Sequence, residues 1–165
     1  MTSEHLLHTI PPIYDGNSKI LILGSFPSVK SREVSFYYGH PQNRFWRVLA
    51  AVLGCAVPSS NEEKTALLHS HSIALWDVIK SCDIVGSSDS SIKNVVPNDI
   101  GVILSSCGIR QIYSNGKTSE KLFNKYIKDT VGRDTVALPS TSPANASYNL
   151  ERLTDSWSVI KNNIR

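Results

Sequence analysis

The sequence predicts a three-layer α/β/α sandwich around a central, mainly parallel sheet of about four strands. Lys19-Ile-Leu-Ile-Leu-Gly24 is a short, nearly all-apolar run closed by glycine, the pattern of a strand buried on both faces. Three more short runs, Ile73–Trp76, Ile109–Ser114 and Thr135–Leu138, alternate with helical patterns. Such alternation implies parallel pairing through right-handed crossovers. The 165 residues are read as a single domain, and a hydrophobic fraction of 41% is enough to give it a core.

Each helix carries its own signal. Pro41 suits the first turn of a helix running through Phe45, Val48, Leu49 and Val52 to Gly54. Glu62 to His69 reads as a second, short helix. Asn98 is placed to cap a third through Ile100, Ile103 and Leu104, stopped at Gly108. Thr118 to Lys128 is a fourth. The last puts Leu150, Leu153, Trp157, Ile160 and Ile164 on one face, three or four residues apart. This leaves residues 1–18 as an N-terminal segment and residues 80–98, rich in Ser, Asp and Gly, as a long loop. Ligands of parallel sheets bind beyond the carboxyl ends of the strands. The loops 25–40 and 139–147 both follow strands, so they are expected to meet there.

Composition narrows the function. A net charge of +3 permits a nucleic-acid partner without requiring one. No stretch approaches the roughly 20 apolar residues of a membrane span. The N-terminus lacks the basic start and apolar block of a signal peptide, so a cytoplasmic location is expected. Cys55, Cys82 and Cys107 form no CxxC pair; this argues against a zinc site or disulfide framework and for buried free thiols. Asn115-Gly116-Lys117 could hold a phosphate at a helix start or be an ordinary turn, and it lacks the spacing of a P-loop. No metal or cofactor is expected.

The two loops carry the informative residues. The first reads Gly24-Ser-Phe-Pro-Ser28, then Phe36-Tyr-Tyr-Gly-His-Pro-Gln-Asn-Arg-Phe-Trp46; the second reads Leu138-Pro-Ser-Thr-Ser-Pro-Ala-Asn145. Together they resemble the uracil-DNA glycosylase superfamily. His40 to Trp46 closely matches the HPxNRFW run of mismatch-specific uracil glycosylases, and GSFPS is similar to their GINPG loop. The three motifs in this order most resemble the hypoxanthine-DNA (deoxyinosine) glycosylase branch, with the likeness running from about Ile20 to Trp157. The resemblance implies a uracil-DNA glycosylase-like fold and a monofunctional DNA repair enzyme. Such an enzyme flips out a deaminated base, most readily hypoxanthine, and hydrolyses its N-glycosidic bond to leave an abasic site. It implies DNA with a deaminated base as partner, action as a monomer, and no membrane, metal or cofactor.

The chemistry explains the residue types. A base drawn out of a duplex needs a flat side chain to replace lost stacking. Phe36, Tyr37 and Tyr38 could equally pack the loop onto its helix; the resemblance assigns stacking to Tyr38. Cleavage leaves positive charge on the sugar and negative charge on the departing base, so fixed dipoles do most of the work. In GINPG an Asn orients the attacking water. Phe26 stands in its place here and cannot do so, becoming a pocket wall beside the rigid Pro27. The catalytic polar role falls to Asn43, whose bland alternative is a helix-start residue bonding nearby backbone. Ser140 stands where several members carry a His that stabilises the leaving base, and is a weaker donor.

The remaining candidates are balanced between function and structure. Asp77 could touch the base or a water, or serve as a turn aspartate; Asp89 is a weaker version of the same case. His40 could bind a phosphate or hold its loop, and Arg44 could bind a phosphate or pair with a carboxylate. Ser25 and Ser28 could contact phosphate or be ordinary loop serines. Ser142, Pro143, Ala144 and Asn145 match the loop that relatives press into the minor groove, or form a turn that caps the last helix. Three readings compete with a hypoxanthine enzyme: a uracil or mismatch-specific glycosylase, a non-catalytic sensor of damaged bases supported by Phe26 and Ser140, and a hydrolase of free nucleosides.

Overall fold

The computed structural model describes residues 2–165. In chain order its strands are β1 (Glu4–Leu7), β2 (Ile20–Gly24), β3 (Ile73–Asp77), β4 (Ile79–Ile84), β5 (Lys93–Pro97), β6 (Gln111–Asn115) and β7 (Thr135–Leu138). Its α-helices are α1 (Val29–Val34), α2 (Phe45–Leu53), α3 (Asn61–Ser70), α4 (Gly101–Ser106), α5 (Lys117–Tyr126), α6 (Lys128–Val131) and α7 (Leu150–Trp157).

Four strands form the parallel sheet in the order β3-β2-β6-β7. All five residues of β2 are buried because layers cover both faces. Alternate side chains diverge, as the strand period requires. Ile20 and Ile22 pack with Phe45 and Leu49 of α2 and with Leu153 and Trp157 of α7. Leu21 and Leu23 pack with Ile103 of α4, Phe123 of α5, and Ile79, Cys82 and Ile84 of β4. Since β3 and β6 flank β2 on opposite sides, the chain changes direction of travel there, which opens a crevice at the strand ends.

The structure corrects several expectations. Residues 80–98 are not one long loop: β4 and β5 join β1 in a second, antiparallel sheet of order β1-β4-β5. The N-terminal segment is part of this architecture, for β1 pairs along β4, and Ile13 bridges Leu75 of the main sheet. Pro41 does not open a helix. It is the second residue of a turn in which Asn43 N–H donates to the His40 carbonyl at 2.9 Å, a position proline favours; the helix begins at Phe45 and ends, as expected, at a left-handed Gly54. Asn98 does not cap α4. Its amide donates to the carbonyls of Asp77 (2.9 Å) and Ile79 (3.1 Å), tying β3 to β4. Leu150 is exposed although it shares the spacing of the buried Leu153, Trp157 and Ile160. Of the cysteines only Cys82 is buried; Cys55 is exposed.

Candidate active site

Beyond the carboxyl ends of the parallel strands lies a cavity of about 560 Å³. Gly24 ends β2, Asp77 ends β3 and Asn115 ends β6, while Ser140 follows β7; all four line the cavity. Both loops singled out by sequence contribute to its lining.

One wall is a relay of neutral hydrogen bonds. Asn43 Oδ1 accepts from the Phe45 N–H at 2.9 Å and from Thr141 Oγ1 at 2.8 Å. A backbone N–H can only donate, so the oxygen end of this amide is identified. Asn115 Oδ1 accepts from the Thr141 N–H at 3.1 Å, and Asn115 Nδ2 donates to Thr141 Oγ1 at 3.0 Å. The side-chain donors run from Asn115 Nδ2 through the buried Thr141 hydroxyl to Asn43 Oδ1, while the Thr141 N–H returns a bond to Asn115, an arrangement that polarises each member. With its oxygen doubly occupied, Asn43 offers the cavity its NH2 donor, not an acceptor. The sequence had left open whether Asn43 bonds local backbone; it does so through Oδ1 while keeping a free donor.

The opposite side is acidic. The Asp77 side chain is 5% exposed, and its Oδ2 accepts from His8 Nε2 at 2.8 Å; the His8 side chain is 1% exposed. A carboxylate can only accept, so the hydrogen lies on His8 Nε2. A side chain at Gly24 would have its Cβ 2.4 Å from Asp77 Oδ1 and 3.0 Å from the Tyr38 hydroxyl, and glycine alone leaves that space to both. Tyr38 adopts φ +53°, and its ring lies on Phe45 with centroids 4.1 Å apart and planes 20° from parallel. Its hydroxyl is buried and has no hydrogen-bond partner among the described residues. Burial, and secondarily the Asp77 charge, push the Tyr37 and Tyr38 hydroxyls far above the usual tyrosine range, so both stay protonated donors. Tyr37 donates to the carbonyls of Ile10 and Pro11 and so anchors the loop.

Eleven of the thirteen residues chosen from sequence line the cavity: Asn43, Phe26, Tyr38, Asp77, Ser140, Ser25, Ser28, His40, Ser142, Pro143 and Ala144. Several also have structural work. Ser28 caps α1, accepting from Ser31 N–H at 3.1 Å. His40 Nδ1 accepts from the Gln42 N–H at 3.1 Å, holding the turn around Pro41. Ser140 Oγ accepts from Ser142 N–H (3.1 Å), and Ser142 Oγ from Ala144 N–H (3.2 Å). Ser25 Oγ reaches Asp89 at 3.4 Å; burial raises the Asp89 carboxyl, against hydrogen bonds from Thr118 and Ser25.

Arg44 and Asn145 stand outside the lining and organise the second loop. Arg44 donates to the carbonyls of Ser142 (2.9 Å), Asn145 (3.0 Å) and Tyr148, while its own N–H reaches the Thr141 carbonyl at 3.0 Å. These donors hold loop backbone, and the guanidinium pairs with no carboxylate among the described residues. Asn145 Nδ2 donates to the Ser140 carbonyl at 3.0 Å. The cap of α7 is Asn149, not the preceding Ser/Pro turn.

Sequence reasoning missed His8, Thr141 and the wall formed by Ser87, Ser88 and Ser90. Thr141 lay inside the second motif, but nothing local marks a threonine that bridges two amides. His8 enters only because β1 pairs with β4, a contact no local pattern announces.

A crevice closed by these two loops beyond a four-stranded parallel sheet defines a superfamily. Residues 11–162 match the model of the Uracil DNA glycosylase superfamily, and the chain belongs to it. Within that superfamily it is 36% identical over 137 residues to a hypoxanthine DNA glycosylase of Methanosarcina barkeri, covering 82% of this chain and 85% of that protein. It is 34% identical over 152 residues to a hypoxanthine DNA glycosylase of Methanosarcina acetivorans, covering 91% and 94%. A Methanosarcina acetivorans chain solved by solution NMR as a candidate uracil DNA glycosylase superposes with a TM-score of 0.80 at 32% identity, covering 94% of this chain and 97% of that one.

Proposed function

We propose that the protein is a monofunctional DNA repair glycosylase that everts a deaminated base, foremost hypoxanthine, and hydrolyses its bond to the sugar. The observation that carries this is the cavity in which a free amide donor, an aromatic ring and a carboxylate converge from separate elements. Its likeness to proteins named hypoxanthine DNA glycosylases supports the choice of base.

In this reading the everted base lies on Tyr38. The base leaves with the electron pair of the glycosidic bond while the Asn43 NH2 donates toward the growing negative charge. Water adds to the sugar carbon, and its surplus proton ends on the released base. A donor fixed before the reaction needs no reorganisation as charge develops. Phe26 supplies shape instead of polarity. The exposed Pro143 and Ala144 and the half-buried Ser142 form the rim that meets the DNA backbone. Action as a monomer and a cytoplasmic location belong to the same reading.

The test is a panel of oligonucleotides, each carrying one deaminated base, assayed for abasic sites by alkaline strand cleavage. The inosine strand should be cut. An intact inosine strand that the protein nonetheless binds would replace the enzyme with a sensor of damaged bases.

A further inference from the structure

We infer that a second trough, next to the cavity and bordered by Lys93, Lys121 and Lys125, holds the unpaired DNA strand that flanks the everted base. This rests on the glycosylase reading above for the identity of the polymer.

The trough has a volume of about 460 Å³ and lies between β5 and α5. Lys93 borders it from the β5 side, and Lys121 and Lys125 from the α5 side; the half-buried Ile92, Val95 and Leu122 supply its apolar surface. Lys121 and Lys125 are four residues apart and so share one face of their helix. All three lysines are exposed. Lys30 and Lys128 each have a carboxylate within reach, at 3.7 and 3.0 Å. Among the described residues the three trough lysines have none. Asp83, the cross-strand partner of Lys93, is bonded to His5 and Asn94 instead. Scattered surface lysines need no explanation. Three that border one concavity from two separate elements repel one another, and an anion between them relieves that repulsion.

Two observations say which anion. The first is continuity. Asp89 lines both the trough and the cavity, so a chain that leaves the cavity past Asp89 enters the trough. Asp89 is the one carboxylate in the trough's lining, it is reached by Ser25 at 3.4 Å, and the lysines outnumber it. The second is form. Thr118 to Lys125 covers about 10 Å of helix axis, room for about three nucleotides at a rise of roughly 3.4 Å each. Cations beside apolar and aromatic surface are the make-up of grooves that track a single strand, and Lys125 Nζ here stands 5.2 Å from the centroid of the Tyr126 ring. A trough bordered on two sides admits one backbone, whereas a duplex would rest across its rim.

The experiment reads charge, and it reads binding separately from cleavage. Wild-type protein and the triple variant Lys93→Gln/Lys121→Gln/Lys125→Gln are titrated at several salt concentrations with a strand carrying one central 2′-fluoro-2′-deoxyinosine, whose fluorine suppresses bond breakage. A control triple, Lys19→Gln/Lys128→Gln/Lys161→Gln, removes equal charge toward the amino ends of the parallel strands, away from the cavity. Loss of three phosphate contacts should flatten the slope of log affinity against log salt by about 2 and weaken binding at low salt by roughly tenfold or more. The control should keep the wild-type slope. An unchanged slope in the trough variant, or an equal drop in the control, would overturn the inference. An equal loss on a fully paired inosine duplex would assign the trough to the duplex and overturn it too. If the variant does not fold, lysine acetylation of the wild-type protein decides: the strand should shield Lys93, Lys121 and Lys125 and spare the control lysines, and trough lysines left unshielded would sink the idea. Excision of ordinary inosine DNA is scored in parallel. A slope change without excision would remove the glycosylase reading and leave the trough as a strand site; excision without a slope change would remove the trough alone.

Discussion

The two sides of the cavity are built by opposite means. The Asn43 side is a relay of neutral groups, in which two side-chain amides and a threonine hold one another across β6, the second loop and the start of α2. The Asp77 side is a carboxylate steadied by one histidine from the N-terminal segment. The first side ends in a donor and the second in an acceptor. The difference teaches that one cavity takes two polarities from two kinds of support: a mutually bonded neutral relay leaves a donor, and a single histidine contact leaves an acceptor.

That contrast can be broken most severely at Asn43. Asn43→Ala should lower single-turnover excision by roughly 10²–10³-fold, as removal of a fixed donor to a developing anion does. Asn43→Asp should be at least as damaging, because both oxygen contacts survive while the donor is replaced by negative charge. Substantial activity in Asn43→Asp would show instead that the residue works as an acceptor for water. Tyr38→Ala comes next and should weaken capture of the inosine strand by roughly 1–3 kcal/mol, the range for one stacked base, visible in binding isotherms. Thr141→Val keeps volume but cuts the relay. It should cost about 1 kcal/mol of stability and slow excision only several-fold, measured by denaturant melts and single-turnover kinetics.

The smallest expected effect sharpens the acidic side. Burial raises the Asp89 carboxyl above its usual value, so its ionisation works against the folded state as pH climbs through the carboxylate range. Asp89→Asn should therefore raise the melting temperature slightly at neutral pH. The gain should fade in acid, where Asp89 is protonated in both states. Melting temperatures at pH 4 and pH 7.5 would show it.

Much of this was legible in the chain and some was not, for identifiable reasons. β2 follows from a short apolar run buried along its whole length, and β7 from a run opened by the β-branched Thr135 and Val136, whose match at Thr135–Leu138 extends to both ends although only Leu138 is buried. The cavity's two loops were legible because they follow strands and because their motifs resemble a known superfamily. The antiparallel sheet was not. Its β4 buries Ile79, Ser81, Cys82 and Ile84 without regular alternation, and its partners lie far away at Glu4–Leu7 and Lys93–Pro97. A strand buried by distant partners leaves a weak mark in composition. The same distance concealed His8. Arg44 was legible as a cation but not as a clamp, since its partners are backbone carbonyls, which every residue has and no motif encodes.

That clamp has a mechanical consequence. Arg44 grips the second loop through Ser142, Asn145 and Tyr148, and its chain neighbour is Asn43. A load applied to the outer rim by a docking duplex is thus delivered one peptide unit from the Asn43 amide that lines the cavity. Grip on the polymer and alignment of the donor form a single linkage. A free nucleoside, which cannot press on the rim, leaves that linkage slack, and free deoxyinosine should turn over far more slowly than the same base within a strand.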